Sequence, residues 1–149
     1  MDFLWDTSVL LHYVRNSDKY RQLDEQYKFF ASDHFTTISY VTVGEMISLS
    51  LQFNWGRNKI QELENSLLSL PVLSIERKEI LEAYAEIDTY SMGKNPLKAL
   101  PFGQTAKKMG KNDLWIAATA HAVGPTFHLV TSDNDFDHLD GIFIHLIKF

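Results

Sequence analysis

The chain has 149 residues, 45% hydrophobic and 22% charged, with a net charge of −5 and no cysteine. These numbers suit one compact domain spanning 1–149 with a real core, and they exclude a disulfide scaffold and a thiolate zinc site. The opening Met1-Asp2-Phe3-Leu4-Trp5-Asp6 has no basic leader pattern, and no apolar run approaches the ~20 residues of a membrane span, so a cytoplasmic protein without a membrane segment is expected.

Taken in chain order, Phe3–Trp5 reads as a short apolar strand, followed by a helix from Thr7 to Arg15 with Val9, Leu10, Tyr13 and Val14 at helical spacing. Asp18 caps a second predicted helix that runs to Phe30. Phe35–Ser39 is strand-like, and Val41–Phe53 is a strongly apolar helix. Gly56 marks a break before an amphipathic helix from Arg57 to Leu70, which Pro71 stops. A third strand is expected over Val72–Ile75 and a helix over Glu76–Tyr90. Ser91–Gly103, with Pro96 and Pro101, reads as a loop, and Gln104–Met109 as a short helix. Asn112 is the expected cap of a helix from Asp113 to Val123, which Gly124-Pro125 ends. The fourth and fifth strands are placed at Phe127–Thr131 and Ile142–Ile147. This alternation predicts an α/β domain: a mainly parallel five-stranded sheet between helical layers, with ligands at the carboxyl ends of the strands.

Several familiar chemistries fail on spacing. Gly103…Gly110-Lys111-Asn112 has its glycines too far apart for a phosphate-binding loop and lacks the following Ser or Thr. Asp133-Asn134-Asp135-Phe136-Asp137 starts like a calcium loop, but His138 stands where glycine is required and Ile144 where the bidentate glutamate belongs. Asp6 has Ser8, not a second acid, two residues on, which argues against an aspartyl-phosphate hydrolase. The histidines lack metal-ligand spacing.

Four acids survive: Asp6, Glu45, Asp113 and Asp133, each where an apolar run stops or within an apolar helix. A carboxylate in such a place costs stability unless it is neutralised, and the natural neutraliser of a convergent set is a hard divalent cation. Between Asp88 and Asp113 there is no acid, yet there are Lys94, Lys98, Lys107, Lys108 and Lys111. Such a strip beside an acidic site can steer a phosphate backbone.

As a set, Phe3-Leu4-Trp5-Asp6-Thr7-Ser8, Val43-Gly44-Glu45-Met46, Asn112-Asp113-Leu114-Trp115-Ile116-Ala117-Ala118 and Val130-Thr131-Ser132-Asp133-Asn134-Asp135-Phe136 resemble the four acidic motifs of PIN-domain ribonucleases, in particular the VapC-like toxins of toxin–antitoxin pairs. The resemblance runs over the whole chain, in order. It implies a three-layer α/β/α fold and Mg²⁺- or Mn²⁺-dependent cleavage of single-stranded or structured RNA. By position it assigns Asp6, Glu45, Asp113 and Asp133 as the catalytic, metal-holding acids, with Asp135 as an alternative or helper at the fourth place. Thr7, Ser8 and Thr131 match hydroxyl positions that orient ligands or water. Lys107, Lys108 and Lys111 become the candidate RNA-steering residues. The resemblance also implies a homodimer held by a small antitoxin. A stand-alone nuclease, one acting on DNA, and a non-catalytic interaction module of the same fold remain alternatives at this stage. The long Ser91–Gly110 stretch and the acidic net charge depart from the usual pattern.

Overall fold

The computed structural model describes residues 1–149. Five parallel strands form one sheet in the order β3-β2-β1-β4-β5: β1 Asp2–Trp5, β2 Phe35–Ser39, β3 Val72–Leu73, β4 Phe127–Thr131 and β5 His145–Lys148. Helices α1 (Thr7–Val14), α2 (Asp18–Tyr27), α3 (Tyr40–Gln52), α4 (Arg57–Ser69), α5 (Lys78–Ser91) and α6 (Lys111–Val123) connect them. A 3-10 turn, Asn134–Leu139, follows β4.

The two-residue alternation of a strand decides what each face of the sheet receives. Phe3 and Trp5 of β1, with Ile38 and Val130, join Val9, Leu10, Tyr20, Leu23, Met46 and Leu63 of the α1–α4 side in one buried cluster. Leu4 and Leu129 point the other way, into a second cluster with Ile87 and Tyr90 of α5, Leu114, Ile116 and Ala117 of α6, and Phe136 and Leu139 of the 3-10 turn. The result is the expected three-layer α/β/α arrangement with an all-parallel sheet. Helix α6 is apolar almost all round: Leu114, Ile116, Ala117, Ala118, Thr119 and Ala120 are all buried. A helix of that composition has to lie between layers, and its alanines let α5 approach closely.

Local signals set most boundaries. Ser17 and Ser39 cap α2 and α3 by accepting backbone N–H bonds from Tyr20 and Val41, both at 3.2 Å. Ser17, not Asp18, is the cap of α2, and Asp18 sits in its first turn. Gly124, at φ 113°, ends α6 in a backbone conformation open to glycine.

Four further expectations need correction. Gln104–Met109 is not helical. The Lys107 N–H donates to the Ser91 carbonyl at 2.7 Å and the Met109 side chain is buried, so tertiary contacts take the groups a helix would use. The cap of α6 is Gly110, not Asn112, because the Gly110 carbonyl already accepts Leu114 N–H at 3.0 Å. The third strand pairs over Val72 and Leu73 only. The fifth strand starts at His145: Gly141, at φ 70°, turns the chain and its N–H binds the Ile144 carbonyl at 2.9 Å. No helix is long and apolar enough to cross a membrane.

Candidate active site

Strand order creates the site. From β1 the sheet grows one way through β2 and β3, while β4 and β5 lie on its other side. Connections from β1 and β4 therefore diverge, opening a crevice at the carboxyl ends of these central strands. Asp6 is the first residue after β1, and Ser132 and Asp133 follow β4. The Asp6 N–H still bonds the Val130 carbonyl at 3.1 Å, so the β1–β4 ladder fixes the backbone beneath its carboxylate.

Asp6 caps α1 and is 6% exposed. Its Oδ1 accepts the Thr7 N–H at 2.7 Å, and its Oδ2 accepts the hydroxyls of Thr131 at 2.8 Å and Ser8 at 3.1 Å. Burial pushes its carboxyl above the ordinary range; these three donors oppose the rise and the neighbouring Glu45 charge adds to it. Thr131 works in both directions, since its hydroxyl also accepts the Asp133 N–H at 2.9 Å. One buried side chain thus joins the loops after β1 and β4. The Ser8 hydroxyl adds a second link by accepting the Ser132 N–H at 3.2 Å.

Glu45 lies in the second turn of α3 and reaches across to the same crevice. It is satisfied by neutral donors: the Thr7 hydroxyl on Oε2, and the Asn112 amide on Oε1 at 2.9 Å. Asp113 stands in the first turn of α6, where the N-terminal peptide dipoles favour a negative charge. Even so, its carboxyl is pushed up to about 6, first by burial and then by the charges of Asp133, Asp6, Asp135 and Glu45. Repulsion from four other acids marks how closely they converge. Carboxylate oxygens of Asp113, Asp133 and Asp135 lie within 4.8 Å of one another. Asp133 caps the 3-10 turn by accepting the Asp135 N–H at 2.8 Å, and that turn carries the Asp135 carboxylate into the group.

Asp6, Glu45, Asp113 and Asp133 line one open cleft of about 770 Å³, together with Thr7, Ser8, Asn112 and Ser132. The family model of the PIN domain matches residues 3–142. The chain belongs to the PIN-domain family. Its fold is that of solved toxin–antitoxin structures with which it shares little sequence. VapBC2 from Rickettsia felis, bound to a DNA fragment from its promoter, aligns at a TM-score of 0.74 with 19% identity, over 100% of this chain and 99% of that one. VapBC-1 from nontypeable Haemophilus influenzae gives 0.71 and 19%, over 99% and 98%. FitAcB from Neisseria gonorrhoeae gives 0.69 and 22%, over 98% and 96%. Among curated protein sequences, none matches.

Within this PIN domain, all four acids of the sequence pattern meet at one sheet edge, and Asp135 adjoins them from the far side. Ser8 and Thr131 each bond Asp6, and Thr7 bonds both Asp6 and Glu45. Of the candidate steering lysines, Lys108 and Lys111 are exposed, whereas the Lys107 ammonium sits 2.6 Å from Asp135 Oδ1. Sequence reasoning missed Asn112 as the partner of Glu45, having placed it as a cap. It also missed Gly110, where an added Cβ would stand 3.0 Å from Asp113 Oδ2, and Lys148 of β5, which holds the Asp133 carbonyl at 2.6 Å and the Asp137 carboxylate at 2.9 Å. A polar residue beside an acid of the set, as Asn112 is beside Asp113, was the available signal.

The donor set suits a hard divalent cation. It consists of oxygen ligands only, burial and then the neighbouring acids raise the Asp113 carboxyl, and the salt bridges leave Asp6, Glu45, Asp113 and Asp133 without a cationic partner.

Proposed function

We propose that this PIN domain is a Mg²⁺- or Mn²⁺-dependent endoribonuclease, the toxin of a toxin–antitoxin pair, cutting single-stranded or structured RNA. The observation that carries the proposal is the convergence of Asp6, Glu45, Asp113 and Asp133 in one open cleft at the divergence of β1 and β4. Asp6 and Asp113 are the direct metal ligands, with Glu45 and Asp133 completing the set. A divalent ion bound there supplies Lewis acidity toward the scissile phosphate and lowers the pKa of an attacking water.

The chain's own residues provide alignment. Thr131 fixes Asp6 and the Asp133 backbone together, Ser8 and the Thr7 N–H orient the Asp6 oxygens, and Thr7 and Asn112 aim Glu45. Exposed Lys108 and Lys111 border the start of α6 and draw in the phosphate backbone. Beside the cleft, α3 exposes Tyr40, Ile47 and Leu51, spaced to share one helical face, with Phe53 just beyond. An uncovered apolar strip of this kind favours a protein partner, for which a small antitoxin is the proposed occupant. A homodimer and a cytoplasmic location complete the proposal, and both rest on the family resemblance.

The test is cleavage of matched RNA and DNA single strands by the purified protein with Mn²⁺, Mg²⁺ or EDTA. RNA is expected to be cut only with metal, and Asp6→Asn and Asp113→Asn to be inactive while still folded. Full activity in either variant would sink the assignment.

A further inference from the structure

We propose that Lys107 is a built-in counter-ion that takes the charge place of a second divalent cation beside Asp135, so that the cleft binds a single metal ion. The inference rests on the metal-dependent function proposed above and concerns how many ions the site takes.

Of the five converging acids, Asp135 alone has a cation of its own: Lys107 Nζ lies 2.6 Å from its Oδ1. Asp6 and Glu45 are held by neutral donors. The other nearby ammonium, on Lys148, is committed to the Asp133 carbonyl, Asn134 Oδ1 and Asp137. Asp6, Glu45, Asp113 and Asp133 line the cleft, whereas Asp135, whose carboxylate oxygens come within 4.8 Å of those of Asp113 and Asp133, stands outside its lining.

Lys107 is also not a free surface lysine. Its N–H is fixed to the Ser91 carbonyl at 2.7 Å. Two residues on, Met109 is buried and its sulfur accepts the Ser91 hydroxyl at 3.4 Å. The same Ser91 hydroxyl bonds His138 Nε2 at 2.7 Å, and His138 belongs to the 3-10 turn that carries Asp135. Both partners of the Lys107–Asp135 pair are therefore tied to one residue at the end of α5. The Lys107 backbone and the turn that carries Asp135 are thus positioned before ligand arrives, and the two side chains are each only partly exposed. A divalent ion ligated by Asp135 would have that ammonium as its direct neighbour, and like charges at such range repel strongly where solvent is partly excluded. The ion is thereby confined to the Asp6, Glu45, Asp113 and Asp133 side.

The experiment is Mn²⁺ titration of the full chain at pH 7.5, with free Mn²⁺ followed by electron paramagnetic resonance and bound ion by calorimetry. Wild type is expected to take one ion per chain. Lys107→Met, which keeps the stem but removes the charge, should take two, and Lys107→Met/Asp135→Asn should return to one. Lys107→Arg, which keeps the charge, should stay at one, which ties the second ion to loss of the charge. Two ions in wild type, or one in a folded Lys107→Met, would overturn the proposal. A wild type that cuts RNA yet binds two ions overturns only this inference. Absence of any Mn²⁺ binding in wild type overturns the metal-dependent function and this inference with it.

Discussion

Asp113→Asn should make the metal-free protein more stable while destroying its response to metal. In the folded chain the Asp113 carboxyl is raised from 3.8 to about 6, chiefly by burial and then by the surrounding acids. At ~1.36 kcal/mol per pH unit, such a rise corresponds to about 3 kcal/mol against the ionised form. Asp113 borders an open cleft, so solvent screening reduces this to roughly 1–2 kcal/mol. The sign follows from proton linkage. Well below pH 3.8 the carboxyl is neutral in both folded and unfolded chains, and the penalty is absent. Between about pH 4 and 6 the folded state holds the proton that the unfolded state releases, so stability falls as pH rises, and the full penalty is present above pH 6. For a chain of this length, ~1–2 kcal/mol is about 3–6 °C in Tm. Calorimetric melts in EDTA should show the variant nearly level with wild type at the acid end, below the unfolded carboxyl's 3.8, and several degrees above it well above pH 6. With millimolar Mg²⁺ or Mn²⁺ at pH 7.5, wild type should gain Tm and the variant should not, because only the native wild-type site binds the ion. A variant less stable than wild type at pH 7.5 in EDTA, or a difference that ignores pH, would refute the electrostatic account of the cleft.

Two further perturbations probe the scaffold of the site. Thr131→Val keeps the buried volume but removes the hydroxyl that donates to Asp6 and accepts the Asp133 N–H; losing bonds to a charged group and a backbone donor should cost about 2–3 kcal/mol, measured as a lowered urea midpoint, and an unchanged midpoint would show that the hydroxyl is not a structural link. Gly110→Ala meets no backbone strain, since φ is −59°, but its Cβ would crowd Asp113 Oδ2 at 3.0 Å. Stability should stay within about 1 kcal/mol while Mn²⁺ affinity falls ~10-fold, the scale at which displaced supporting groups act on a metal site; unaltered affinity in the titration would show that Asp113 can shift without loss.

Asp6, Asp113 and Asp133 stand out in the sequence because each lies where the local pattern breaks, and Glu45 because it interrupts an apolar helix. Asp6 ends the run Phe3-Leu4-Trp5, and Asp113 opens a helix whose next residues are nearly all apolar. A carboxylate at such points requires an external reason, and neighbouring strand ends supply it. What local pattern could not show was everything decided by distant partners. Gln104–Met109 has a plausible helical composition, but six residues gain little from helix formation against its nucleation cost. The segment is claimed instead by Ser91, by the core around Met109 and by Asp135, residues 16 or more positions away at Lys107. Asn112 carries a capping side chain and sits next to the helix start, yet Gly110 begins the helix two residues earlier and leaves that amide for Glu45, 67 positions back. The sequence neighbourhood of Asn112 contains nothing that names Glu45.

The same distinction explains why this cleft holds its charge at all. Position comes from topology: a parallel sheet whose order turns at β1 must present the ends of β1 and β4 side by side, whatever residues stand there. Tolerance comes from particular side chains. Asp6 is tolerated in a nearly closed setting because three neutral donors surround it, Glu45 because Thr7 and Asn112 reach it, and Asp135 because Lys107 does. Asp113 is the residue these devices do not cover, and it is the acid whose carboxyl is driven up to about 6. The strain is thus not spread evenly over the acidic group. Asp6 is raised too, but the rise is greatest at Asp113, which all four other acids oppose, and there a divalent ion would relieve most and its removal should be felt first.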